Sequence, residues 1–234
     1  AGGRFLGMRG AGCEGKGGPR QMEFGFPDTL ERHWFDDNPY ITHFVHALSA
    51  TFPDGERFFI QSVRNYMDRI DDPEMMKNVR GFIGQEAHHG KHHEHFNALI
   101  GKLGYPMDSI IRSVKKQLGF AQQHLSHEEQ LAITVALEHF TAILAHQLLT
   151  DDRFLAKAPE FVQNLMRWHA IEETEHKAVA YDVYQKVCGD NALRKRIMRR
   201  ATVIFLVRIS WFQMRLLWAD GLPLRPAKLW DYIN

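Results

Sequence analysis

After the first twenty or so residues, apolar positions recur every three or four residues in nearly every segment, and the strict alternation expected of strands is scarce. That periodicity predicts an all-α chain. Asp28 and the Asp37-Asn38-Pro39 turn bracket a short helix, and a second run from Tyr40 to about Ala50 ends before Phe52-Pro53-Asp54-Gly55. A first long helix then runs from Asp54 toward Ile70. Asp72 is placed as the N-cap of the second, with Pro73 as its first residue, and this helix extends to about Gly101. A shorter helix over 105–124 follows. Ser126 and Glu129 have capping-box spacing and open a third long helix over roughly 127–150. Pro159 starts a fourth, ended by Gly189, and residues 192–219 make a last one.

Four long helices with one longer connection between the second and third form the layout of a four-helix bundle, here with extra helices at both ends. The first twenty residues contain eight glycines and no apolar run of signal-peptide length. We therefore divide the chain into a Gly-rich leader over 1–22 and a single helical domain over 23–234. A chain of 234 residues suits one domain with a well-buried core.

Composition narrows the function classes. The 29 basic and 28 acidic residues nearly cancel, so the chain carries no global pull toward nucleic acid. With only Cys13 and Cys188, neither a disulfide framework nor a thiolate-rich metal site is expected, and a cytoplasmic location is the default. Histidine is abundant, at 14 residues. Imidazole is the commonest neutral metal ligand, so these residues direct the search.

Glu86 and His89 lie three apart on the second long helix, and Glu173 and His176 do the same on the fourth. Such pairs share a helix face and can approach one ion. Random placement gives about one Glu-x-x-His in a chain of this composition, so a single copy would mean little. Here each copy is preceded by a lone Glu one helix earlier, Glu56 before the first and Glu138 before the second. Glu138 stands among Ile133, Val135, Leu137, Ile143 and Leu144, where an uncompensated carboxylate would cost several kcal/mol. Glu56 is the weakest of the set, because an acidic residue in a first helical turn also complements the helix dipole. His169 lies four before Glu173 and seven before His176, within about 20° of the same face. It is a seventh ligand candidate, with packing or an outer hydrogen bond as the alternative. His93 and Glu172 compete for places around the ions, and His43 and His46 fit better as core or surface histidines. Glu172, Glu175, His139 and His146 are read as outer hydrogen-bond partners or surface groups.

The pattern Glu, Glu-x-x-His, Glu, Glu-x-x-His over residues 54–188 resembles the ferritin-like dimetal carboxylate proteins. With His169 added, the set Glu56, Glu86, His89, Glu138, His169, Glu173 and His176 is similar to that of the diiron arylamine N-oxygenases, although the helix spacing departs from theirs. Phe52-Pro-Asp-Gly-Glu-Arg-Phe-Phe59 and Gly84-Gln-Glu-Ala-His-His89 also resemble a bacterial family labelled predicted metal-dependent hydrolase. The resemblances imply a ferritin-like fold and two bound ions. Four carboxylates and two or three imidazoles suit iron, with manganese and zinc as alternatives.

The main expectation is a non-haem diiron oxygenase or oxidase that uses O2 and an electron donor on a small apolar substrate. The alternatives are a hydrolase using a dimetal-bound water and a non-catalytic metal-binding bundle. In the last helix, Arg194, Lys195, Arg196, Arg199 and Arg200 precede Phe205, Trp211, Phe212 and Trp218. We expect that helix to cap the bundle or pair two subunits in a homodimer, and contact of 194–219 with a membrane surface is the alternative.

Overall fold

The computed structural model describes residue 18 and residues 20–222, and over them the chain folds into eight α-helices with no strand among the described residues. Residues 1–17 of the expected leader lie outside the described residues. Helix α1 is Pro39–Ser49, α2 Phe52–Arg64, α3 Pro73–Lys102, α4 Met107–His124, α5 His127–Thr150, α6 Glu160–His176, α7 Val179–Val187 and α8 Asn191–Ala219. Helices α2 and α3 pack as one antiparallel pair, α5 and α6 as the other, and α4 carries the crossover between them. Helices α1 and α8 pack on each other, and α8 lies along α5. This is the expected bundle with added terminal helices.

The helix starts follow local chemistry. Asn38 Oδ1 accepts the N–H groups of Tyr40 and Ile41, and Asp72 Oδ1 accepts those of Glu74 and Met75. At α5 the capping box closes both ways, Glu129 N–H to Ser126 Oγ at 3.2 Å and Ser126 N–H to Glu129 Oε2 at 3.1 Å.

Three boundaries differ from expectation. Residues 32–37 form turns instead of a short helix. Asp36 and Asp37 both stand at left-handed φ, +52° and +54°, which no right-handed helix can carry through. The first long helix stops at Arg64, and a single 3-10 turn, Met67–Arg69, replaces its last stretch. The fourth helix breaks after His176, so α6 and α7 are separate. Neither proline nor glycine stands at Lys177 or Ala178 to announce that break.

Two apolar cores flank the middle of the bundle. One gathers Trp34, Phe96, Ile100, Ile110, Leu165 and Phe212, and the other Phe58, Val63, Phe82, Leu131, Val183 and Tyr184. Along α3 the apolar contributors change from Val79 and Phe82 to Phe96 and Ile100, and the residues between them that turn inward are Gln85, Glu86, His89 and His93. A polar layer is thus enclosed between two dry ones.

Helices α5 and α8 are long and apolar enough to cross a membrane by length and composition. Helix α5 nevertheless buries Glu138, and on α8 the Arg208 and Arg215 guanidinium groups donate to Ser113 Oγ and Ser109 Oγ of α4. One face of α8 stays exposed, with Val203, Leu206, Val207, Trp211 and Trp218 along it.

Candidate metal centre

All seven sequence-predicted residues are buried in that polar layer. Glu56 comes from the first turn and a half of α2, Glu86 and His89 from mid-α3, Glu138 from mid-α5, and His169, Glu173 and His176 from the last two turns of α6. Ligand-type atoms of Glu86, His89, Glu173 and His176 all lie within 4.8 Å of one another, and so do those of Glu56, His89 and His169. The two groups share His89.

His176 stands at the centre of the cluster. Its Nε2 is 3.0 Å from Glu86 Oε1 and 3.7 Å from Glu173 Oε1, and its Nδ1 is 3.3 Å from Glu138 Oε2. His89 Nδ1 is 3.5 Å from Glu173 Oε1 and 3.8 Å from Glu86 Oε1. His169 Nε2 is 3.0 Å from Glu173 Oε1. Apart from the hydrogen bond between His169 Nε2 and Glu173 Oε1, proximity does not produce hydrogen bonding among these groups. Both oxygens of Glu56, Glu86 and Glu138, Oε2 of Glu173, Nδ1 of His89 and both nitrogens of His176 have no hydrogen-bond partner.

A buried carboxylate oxygen without a donor costs about 1–3 kcal/mol or more, and native interiors contain few such atoms. Seven such oxygens and three unpartnered imidazole nitrogens in one layer are inconsistent with a structural salt-bridge network, which would have aligned the donors. They fit a site whose lone pairs converge on cations. The donor types, carboxylate and imidazole without thiolate, are those of hard or borderline divalent ions.

Electrostatics leads to the same requirement. Burial, and then repulsion from Glu86 and Glu173, holds the Glu56 carboxyl well above the usual range. Burial and the nearby Glu138 do the same to Glu86. Burial and Glu173 push Glu138 up to about 7. Burial opposes charge on Glu173 and on His176 as well, but each is outweighed, Glu173 being held low by His176 and His169, and His176 held well above 6.5 by Glu173 and Glu86. Unless positive charge is supplied, the layer has to take up protons.

The surroundings orient the ring of His89. Its Nε2 lies 3.1 Å from Glu172 Oε2, and Glu172 Oε1 accepts Trp168 Nε1–H and the Arg20 backbone N–H, each at 3.1 Å. With Nε2–H committed to Glu172, Nδ1 turns its lone pair toward the cluster. Glu172 thus meets His89 at the ring nitrogen opposite the one that faces Glu173 and Glu86. Arg20 also pairs with Glu175, which accepts Gln85 Nε2–H at 3.1 Å. Although the leader was drawn to residue 22, Arg20 is thus tied into the site.

Of the remaining histidines, His92 and His95 pack on Phe24 and Phe26, and His139 and His146 are exposed. His43 and His46 are turned away from the cluster. His43 Nε2 meets Asp220 Oδ2 at 2.5 Å, and His46 Nε2 accepts Trp34 Nε1–H at 2.8 Å. The sequence reading missed Arg20 and Trp168, which carry no motif. It also missed Gly90, whose position inside a helical pattern was a usable signal of close approach. A Cβ there would lie 2.9 Å from Glu56 Oε2.

The layer is reached from a cavity of about 800 Å³. Phe44, Val45, Leu48, Phe52, Leu144 and Met166 line it, buried His169 and Glu173 form part of its wall, and exposed Phe154 lies at its rim. A polar depression of about 610 Å³ around Tyr66, Arg69 and Gln122 shares no residue with the cluster. A family model described as "Predicted metal-dependent hydrolase" matches residues 18–234. No curated protein and no solved structure matches the chain.

Proposed function

The chain belongs to the predicted metal-dependent hydrolase family, and we propose that it hydrolyses a small apolar ester-type substrate at a pair of metal ions held by Glu56, Glu86, His89, Glu138, His169, Glu173 and His176. The observation that carries this reading is the convergence of unpartnered, buried ligand atoms on a layer that opens into an apolar cavity. When bound, paired divalent ions lower the pKa of a water and polarise the group it attacks.

The chain's own residues supply the rest. The four glutamates balance the charge of two divalent ions, and Glu172 fixes the ring of His89. Phe44, Val45, Leu48 and Phe52 hold the apolar part of the substrate and keep bulk water from the layer. Elemental analysis of protein purified without added metal should find two metal ions per chain, both lost in Glu138→Ala. A fully folded native protein free of metal would overturn the reading. Hydrolysis of short-chain aryl esters should follow loading with manganese or zinc and vanish with the same variant.

A second reading, oxygen activation by two iron ions with an external electron donor, is favoured by one observation. The repeated Glu and Glu-x-x-His pattern on four bundle helices is that of di-iron carboxylate proteins, and His169 adds a third imidazole to it. Anaerobic ferrous protein exposed to O2 separates the two. Stoichiometric O2 consumption without ester cleavage supports oxidation, and ester cleavage without O2 uptake supports hydrolysis. The two cysteines are compatible with a cytoplasmic enzyme. The exposed apolar face of α8 supports pairing of two copies, which sedimentation velocity would register as a dimer.

A further inference from the structure

Behind His169, away from the cluster, a chain of hydrogen bonds runs from His93 of α3 through Ser49 of α1 to Asn97 of α3. Ser49, His93 and Asn97 are all buried, His93 completely. Asn97 Nδ2 is 3.0 Å from the Ser49 backbone oxygen, Ser49 Oγ is 2.8 Å from Asn97 Oδ1 and 2.9 Å from His93 Nδ1, and His93 Nε2 is 2.8 Å from His169 Nδ1.

Every proton in this chain can be placed. The Ser49 backbone oxygen can only accept, so the Asn97 NH2 group faces it, and reversing the amide would set two carbonyl oxygens against each other. Asn97 Oδ1 then accepts the Ser49 hydroxyl proton. Having spent its one proton, Ser49 Oγ can only accept from His93 Nδ1–H. His93 is fully enclosed, and its nitrogens meet a hydroxyl and another imidazole, so the neutral ring is the form that fits. Its Nε2 is therefore an acceptor, and the proton between the two rings sits on His169 Nδ1.

We propose that Ser49, His93 and Asn97 are positioning residues that lock a proton on His169 Nδ1, so that Nε2, hydrogen-bonded to Glu173 Oε1 at 3.0 Å, is the ring nitrogen that faces the metal pair. The tautomer is thereby set from a backbone carbonyl three residues away along the chain of bonds. Metal-bound histidines are generally held by a hydrogen bond at the other ring nitrogen, and here an uncharged relay takes the place of a carboxylate. This contrasts with His89, whose outer partner is Glu172. Phe52 flanks both rings, at 4.6 Å from His93 and 4.8 Å from His169 between centroids, and leaves the imidazoles little room to turn.

The inference rests on the metal-binding reading above, and its test separates the two. Nitrogen-15 NMR of histidine-labelled protein, metal-free and zinc-loaded, should detect coupling across the hydrogen bond between the rings, with the proton on His169 Nδ1 in both states. A proton on His93 Nε2 would overturn the proposal whether or not zinc binds. Failure to bind any zinc would sink the metal reading and leave the proton position as an independent result.

In chelator competition, His93→Phe should bind the metal about 10- to 100-fold more weakly, as outer-partner losses generally do. His93→Gln, whose side-chain oxygen can still accept from Nδ1–H, should recover most of that loss. Wild-type affinity in a folded His93→Phe protein would refute the assignment. Should that variant fail to fold, the NMR measurement on the wild type decides alone.

Discussion

Gly90 sits inside the 30-residue helix α3, where propensity alone favours replacing it. Alanine in a helix interior is better than glycine by about 1 kcal/mol. The space at this position is already taken, however, because a Cβ would meet Glu56 Oε2 at 2.9 Å. The obstructing atom is the tip of a flexible side chain and not backbone, so the carboxylate moves and the helix stays. Gly90→Ala is therefore expected to keep or slightly raise the melting temperature of the metal-free protein while weakening metal binding. Parallel thermal melts and chelator competition would check this, and unchanged affinity would remove Glu56 from the set of ligands. Glu56 was the least secure of the seven in the sequence, since a first-turn acid has a helix-dipole explanation. Its burial at 2% exposure with both oxygens unpartnered makes that explanation insufficient.

Among the elements, those with explicit chemical starts were legible. Asp72 and Ser126 both cap where the sequence placed them, because capping depends on residues within one turn. Ser126→Ala should cost about 1 kcal/mol by opening the capping box, which lowers the melting temperature by roughly 2–4 °C in a protein of this size. Metal content should not change, since the box lies three turns from Glu138 on α5. A variant that loses metal while melting normally would show that the end of α5 matters to the site in a way this geometry does not contain. The boundaries that were not legible depend on contacts across the fold. The break after His176 has no breaker residue, and the turn at 32–37 depends on two aspartates in left-handed conformation. The site divides the same way. Periodic Glu and His positions were readable because helix faces repeat every three to four residues, whereas the parts played by Arg20, Ser49 and Asn97 arise only when distant segments meet.

For the whole molecule, enclosing four carboxylates between two apolar cores makes stability a function of what neutralises them. Consider the metal-free protein first. Glu56, Glu86 and Glu138 have carboxyl groups raised in the folded state, the last to about 7, so the folded chain binds protons that the unfolded chain releases. Their contribution is complete below the unfolded carboxyl range and is lost as pH rises through the folded values. The buried His46, His89 and His93 act in the opposite sense, because burial lowers them and unfolding lets them take up protons below about pH 6.5. Above that value these three are neutral in both states, and only the raised groups, with His176 among them, still favour the protonated fold. The metal-free protein should thus melt at steadily lower temperature from about pH 6.5 to about pH 8.5. Metal at 100 times its Kd adds about 2.7 kcal/mol and takes over the neutralising role of those protons, so the loaded protein should hold or gain stability over the same range. Thermal melts with and without chelator at three pH values would measure the divergence of the two curves. Parallel curves would mean that the glutamate layer is not where the metal binds.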